Sequence, residues 1–193
     1  CLAIATDGDI FVRGANQEYL ITFLSSLRRA GADYEVRDGG IRFWRSGKLI
    51  ATSIETDTHP GFMTDWQQPF VVMLTQAEGI SKIHETIYED RFGYATDLSN
   101  MGANIKVSAE CLGELPCRFK NSKFNHGAVI TGPTPLRAAN LKVRDLRSGM
   151  AHTIAALVAS GQSTIEGIEE IDRGYEKLEN RLQALGADIR RVG

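Results

Sequence analysis

The sequence predicts an α/β fold in which one helix–strand unit occurs three times and the first helix of each unit is buried. Three observations lead there. A phrase recurs as Leu27-Arg-Arg-Ala-Gly31-Ala32-Asp33-Tyr34, Leu98-Ser-Asn-Met-Gly102-Ala103-Asn104-Ile105 and Leu182-Gln-Ala-Leu-Gly186-Ala187-Asp188-Ile189. Upstream, Gly8, Gly79 and Gly161 precede Leu20, Arg91 and Arg173 by one constant step, and those positions precede the phrase glycine by nearly equal steps. Finally, Met150 and the run Ile154 to Ala159 leave the segment 149–160 apolar on nearly all sides, which is the pattern of a buried helix.

In chain order, Cys1-Leu-Ala-Ile-Ala reads as the tail of a helix already under way, so the chain is expected to be a fragment of a longer protein that begins inside its first unit. A helix ending at Gly31 follows, because glycine accepts the left-handed conformation at a helix C′ position at little cost. Arg37-Asp-Gly-Gly-Ile signals a tight hairpin. The second unit opens with an apolar helix over 66–78, with Pro69 in its first turn, where a missing N–H costs little. Its second helix ends at Gly102. The stretch Thr131-Gly-Pro-Thr-Pro-Leu136 is the clearest break before the third unit, which carries helices over 149–160 and up to Gly186. No flexible linker divides the chain. One domain over 1–193 is expected, with units at about 1–58, 59–130 and 131–193.

Composition narrows the function classes. Hydrophobic residues make up 42% and charged residues 24%, ordinary values for a globular chain with a sizeable core. The net charge of -2 supplies no global field for nucleic acid, and no apolar run is long enough to span a membrane. Three cysteines are too few and too odd in number for a disulfide framework and suit a reducing, cytoplasmic setting. Cys111, Cys117 and His126 have no recognised zinc spacing, so no metal site is expected. There is no Walker loop, dinucleotide fingerprint or nucleophile elbow, and no cofactor is expected.

Chemistry-bearing residues gather where the repeats begin. Asp65 and Asp145 open the apolar helices of units two and three. As N-caps they satisfy orphan amides; as functional groups they offer a carboxylate to a substrate hydroxyl. Arg91 and Arg173 each follow an acid and are read at the start of a second helix, where a cation opposes the macrodipole. Either they bind an anion there or they pair with the neighbouring acid. Glu89 and Arg147 lie close in sequence to Arg91 and Asp145 and are either solvated or part of the same face. His59-Pro60-Gly61-Phe62 reads first as a packed connector and second as the seat of a catalytic histidine.

The combination His59-Pro-Gly-Phe-Met-Thr64-Asp65-Trp-Gln, Glu85-Thr-Ile87-Tyr-Glu89-Asp-Arg91-Phe, Asp145-Leu146-Arg147 and Ile171-Asp172-Arg173-Gly174-Tyr175-Glu176 resembles the UDP-N-acetylglucosamine branch of the enolpyruvyl transferases. The resemblance runs from about residue 8 to 192. It implies an inside-out α/β barrel, one domain of a two-domain fold, each domain made of three βαβαββ units with helices inside and sheets outside. It also implies addition of a sugar 3-hydroxyl to C2 of phosphoenolpyruvate, followed by loss of phosphate. Asp65 becomes the catalytic base. Thr64, Ile87 and Glu89 belong to the UDP-sugar side; Arg91, Arg147 and Arg173 hold the carboxylate and phosphate or steady a closed state; Asp145 helps order that closure. The family's loop cysteine (or aspartate), Lys-Asn pair and a further phosphate-binding arginine are expected in an N-terminal half this chain does not contain. That half is an expected partner, and the chain alone is expected to be inactive. Other readings are a relative acting on a nucleotide or shikimate 3-phosphate, and a non-catalytic nucleotide-binding repeat domain.

Overall fold

The computed structural model describes residues 1–192. The elements run α1 (Leu2–Ala5), β1 (Ile10–Arg13), α2 (Ile21–Arg29), β2 (Asp33–Arg37), β3 (Gly40–Trp44), β4 (Ser53–Glu55), α3 (Thr64–Leu74), β5 (Gly79–His84), α4 (Ala95–Asn100), β6 (Asn104–Ser108), β7 (Gly127–Gly132), β8 (Asn140–Lys142), α5 (Leu146–Val158), β9 (Thr164–Glu166), α6 (Ile168–Asp172) and α7 (Leu178–Ala184). The middle unit shows the whole pattern, β4-α3-β5-α4-β6-β7, in a four-stranded sheet of order β4-β5-β7-β6. Only β4–β5 is parallel there, as the crossover through α3 requires. The first unit contributes a sheet of order β1-β3-β2, and the third the parallel pair β8–β9.

The three first helices, α1, α3 and α5, pack on one another at the centre, with the sheets outside them. Their sequences explain this. In α3 every residue from Phe70 to Leu74 is buried, and in α5 every residue from Ala151 to Ala155. Such helices have no polar face to offer water. The sheets do, and accordingly Val36, Ile80 and Val107 lie exposed on outer strands.

The recurring phrase folds the same way three times. Gly31, Gly102 and Gly186 have φ of 79°, 105° and 94°. In each copy the residue after the glycine donates its N–H back to the leucine that opens the phrase: Ala32 to Leu27, Ala103 to Leu98 and Ala187 to Leu182, at 3.0, 2.9 and 3.0 Å. This is the Schellman closure, which a Cβ at the glycine would strain. Asp38-Gly39 forms the tight turn joining β2 to β3.

Two boundaries differ from the sequence reading. Helix α3 begins at Thr64 rather than 66, so Pro69 sits in its second turn, where the missing N–H leaves the Asp65 carbonyl without its i+4 donor. The sheets divide the chain between β3 and β4, whereas the sequence repeat puts the cut near 59; β4 pairs with β5 and belongs with the second unit.

Phe70 packs in an aromatic cluster with Phe23 and Phe62, at ring separations of 6.0 and 5.2 Å, and it has no exposed surface. Phe70→Ala is expected to cost about 3–5 kcal/mol of unfolding free energy, measured by urea denaturation. A loss below about 1 kcal/mol would contradict this account of the core.

Candidate active site

Helices α3 and α5 lie side by side with their N-termini at the same end, and the site is built on that end. The N-cap of α3 is Met63 and that of α5 is Asp145, so Asp65 and Arg147 occupy the same second position of equivalent helices. Their side chains meet: Arg147 Nε donates to Asp65 Oδ1. Arg91 Nη2 donates to the same oxygen at 2.9 Å. One carboxylate thus gathers guanidinium groups from two units.

Arg91 reaches this point from the loop between β5 and α4, which two glutamines bolt to α3. Tyr94 Oη donates to Gln67 Oε1 at 3.0 Å, and Gln68 Nε2 donates to the Arg91 carbonyl at 3.4 Å. Burial, and after it the Glu85 charge, push the Tyr94 phenol well above its usual range, so it remains a donor. The Arg91 side chain is 5% exposed and lies 4.4 Å over the Tyr88 ring. Its Nε is buried without a hydrogen-bond partner among the described residues. The Asp65 side chain is 57% exposed, so this pair's net stabilising effect is small, while the desolvated guanidinium is costly. Such a group suits an arriving anion better than it suits folding.

Arg91, Asp145 and Arg147 line a cavity of about 190 Å³ together with Tyr88, Arg144 and His152. Asp65 stands beside it through its two arginines. Asp145 caps α5 fully, accepting from the Arg147 and Ser148 amides at 2.9 and 3.2 Å. Burial raises its carboxyl, but hydrogen bonds from Ser148 and the Arg147 amide, with the Arg91 charge, outweigh burial and hold it below the ordinary value. Burial lowers His152, partly offset by Asp97, whose Oδ2 lies 3.0 Å from its Nε2 without hydrogen-bond alignment. The larger cavity, about 1030 Å³, opens elsewhere, between α1, β9, α6 and α7, and holds none of the predicted residues.

The remaining predicted residues divide. Thr64 donates to Glu85 Oε2 at 3.0 Å, and the Ile87 amide donates to Glu85 Oε1 at 3.0 Å, so buried Glu85 organises both. Arg118 donates to the Ile87 carbonyl and to Glu89 Oε1. Arg173 is outside the cavity lining, with its side chain 73% exposed and paired to Glu170 at 2.8 Å. It caps the C-terminus of α6, and Arg91 lies in a turn before α4, so neither arginine opens a second helix as the spacing suggested. The capping reading holds for Asp145 but not for Asp65, which makes no cap. His59 is exposed in a connector whose Pro60 carbonyl accepts from Thr22.

Sequence reasoning missed Tyr175, Glu85 and Arg118. For Tyr175, burial first, then the Asp65 charge, raise the phenol, and the Arg147 charge partly offsets them. A signal for the true equivalence existed, since Gly79 stands as far beyond Asp65 in the chain as Gly161 stands beyond Arg147.

Helices inside and sheets outside are an arrangement this chain shares with a known class of transferases. The family model described as EPSP synthase (3-phosphoshikimate 1-carboxyvinyltransferase) matches residues 1–182, and the chain belongs to that family. Within it, the chain is 50% identical over 188 residues to a UDP-N-acetylglucosamine 1-carboxyvinyltransferase of Protochlamydia amoebophila, covering 97% of this chain and 40% of that protein. It is 47% identical over 189 residues to the protein of that name from Chlamydia muridarum, covering 97% of this chain and 43% of that one. The chain therefore spans about two-fifths of these relatives. Among solved structures, the enolpyruvyl transferase NikO from Streptomyces tendae superposes with a TM-score of 0.83 at 24% identity, covering 98% of this chain and 42% of that one. EPSP synthase from Acinetobacter baumannii does so at 0.69 and 20% identity, covering 99% and 41%. These structures bear on the fold alone. No helix among the described residues is long and apolar enough to cross a membrane.

Because the Asp145 carboxyl is held below its unfolded value, its stabilisation is fully present above that value, about 3.9, and is lost as pH falls through the lower folded one. Asp145→Ala is expected to cost about 1 kcal/mol at pH 7. The gap between variant and parent is expected to shrink below about pH 4 in urea titrations across pH. A pH-independent gap would refute the capping account.

Proposed function

We propose that the protein to which this chain contributes transfers the enolpyruvyl group of phosphoenolpyruvate to the 3-hydroxyl of UDP-N-acetylglucosamine, releasing phosphate, at the start of peptidoglycan precursor synthesis. The observation that carries this reading is the Asp65 carboxylate, shared by Arg91 and Arg147 at the adjoining N-termini of α3 and α5. Two parallel helix starts and two guanidinium groups make a positive mouth suited to an anionic substrate. The desolvated Arg91, with an unpartnered Nε, supplies a donor that a carboxylate or phosphate oxygen can satisfy. Identities of 46% and 50% with carboxyvinyltransferases named for UDP-N-acetylglucosamine favour that acceptor.

In this reading Asp65 accepts the proton of the sugar hydroxyl as its oxygen bonds to C2 of phosphoenolpyruvate and C3 gains a proton. The C2–O bond to phosphate then breaks, and C3 gives up a proton to restore the double bond. Arg91 and Arg147 exchange part of their bonding from Asp65 to the incoming anion, so charge is stabilised where phosphate departs and the base is freed together. Thr64, Ile87 and Glu89 form the sugar-nucleotide side, ordered from beneath by Glu85 and from above by Arg118. Asp145 fixes the start of α5 and with it Arg147. Arg173, turned outward in this chain, belongs to the contact with the rest of the protein. We infer likewise that 1–193 forms one domain and that the remaining three-fifths supply the opposite wall, whose closure excludes water.

The test is phosphate release from phosphoenolpyruvate plus UDP-N-acetylglucosamine by the complete protein. Asp65→Ala and Asp65→Asn are expected to lower kcat by about 10²–10⁴-fold. Near-normal turnover of either variant removes Asp65 from the mechanism. Turnover with shikimate 3-phosphate, but not with the UDP-sugar, overturns the acceptor. The chain 1–193 alone is expected to release no phosphate.

A further inference from the structure

The β6–β7 connection is anomalous within the repeat. Its counterpart in the first unit, β2–β3, turns tightly at Asp38-Gly39, whereas 109–126 form a long loop without a helix or strand. A long irregular loop on a compact domain needs something to hold it. It carries both internal cysteines, and it ends at His126, beside His84 on the neighbouring strand, since His84 pairs in register with Gly127.

The geometry points to a tetrahedral zinc site made by His84, Cys111, Cys117 and His126, a structural centre that fastens this loop to the sheet. One ligand atom from each of the four residues lies within 4.8 Å of all the others. Cys111 Sγ is 3.5 Å from His126 Nε2, about the N–S edge of a zinc tetrahedron built from Zn–S and Zn–N bonds near about 2.3 and 2.0 Å. Both imidazoles are almost wholly buried, and both are oriented from behind. His126 Nδ1 donates to the Phe124 carbonyl at 2.8 Å, which leaves the Nε2 lone pair facing Cys111. His84 Nδ1 lies 3.4 Å from Glu55 Oε2, and its Nε2 is buried without a hydrogen-bond partner among the described residues. An outer acceptor on one ring nitrogen and a free lone pair on the other is the arrangement of metal-ligating histidines.

Glu55 serves the loop as well. Its two carboxylate oxygens accept from the Glu114 and Leu115 amides at 2.9 and 2.8 Å, and any side chain at Gly113 would collide with it. Two thiolates and two neutral imidazoles neutralise a divalent ion and fill all four positions, so the centre is structural rather than catalytic. Sulfur and nitrogen donors in a tetrahedron select zinc among common divalent metals. Its consequence lies one step away: the fastened loop presents Arg118 to the Ile87 carbonyl and the Glu89 carboxylate.

The test uses the purified chain, prepared with reductant, and zinc or Co²⁺ alone as the probe. Elemental analysis is expected to find one zinc per chain, and Co²⁺ exchange is expected to give the intense visible bands of a tetrahedral thiolate site. Cys111→Ser and Cys117→Ser are expected to abolish both while the circular dichroism of the fold is retained; Cys111 is exposed, so its replacement leaves the core intact. Glu55→Gln is expected to weaken zinc by about tenfold. Chelation is expected to speed tryptic cleavage at Arg118, Lys120 and Lys123 in the parent but not in Cys111→Ser, where cleavage is already fast. Trace zinc in the parent, a Cys111–Cys117 disulfide in its place, or zinc content unchanged in the cysteine variants overturns the proposal.

Discussion

The seam between α3 and α5 is the constraint on which the rest of the structure depends. Both helices are too apolar to face water, so each must be covered by the other and by the sheets outside. A repeat that runs each first helix in the same sense then brings their N-termini together. Two positive dipole ends side by side cannot be covered by more apolar surface; they call for negative charge. Asp145 meets the requirement at one helix as a cap, and Asp65 meets it at the other from the second position, leaving its carboxylate turned outward to collect Arg147 and Arg91. The polar mouth is thus a consequence of where the apolar helices must end.

This explains which parts of the molecule the sequence made legible. The Schellman glycines could be read because their requirement is local: a left-handed φ and a fixed hydrogen-bond pair, carried within one short phrase. The buried helices could be read because nothing but burial suits their composition. The alignment of Asp65 with Asp145 misled because like residues were matched, whereas the backbone matches positions. Helix α3 begins without a side-chain cap, so its Asp has no counterpart in the third unit, and the residue equivalent to Asp65 is an arginine of opposite charge. Arg91 and Arg173 share a spacing but not a fate, since α6 is an extra helix in the third unit and carries Arg173 away to Glu170. The His/Cys cluster was set aside for a different reason: Cys111, Cys117 and His126 alone show no recognised zinc spacing, and His84 lies far from them in the chain. Its four members are drawn from β5 and from a loop that begins only after α4 and β6, and the antiparallel register of β5 with β7 is what joins them.

The end of β5 shows how the two centres are separated and yet joined. Successive side chains of an extended strand point to opposite faces. His84 turns towards Glu55 and the long loop; Glu85, the next residue, turns towards Thr56 and Thr64 and accepts the amides of Ile87 and Tyr88. A shift of the backbone at this point would disturb both at once. The Glu85 amide is itself tied to the His126 carbonyl at 2.8 Å, so the residue that closes the loop also holds the residue that orders Thr64 and the Ile87 amide. Repetition supplies the helices and their shared end; what distinguishes the second unit, which also carries Asp65, Glu85 and Arg91, is the long loop braced against its sheet.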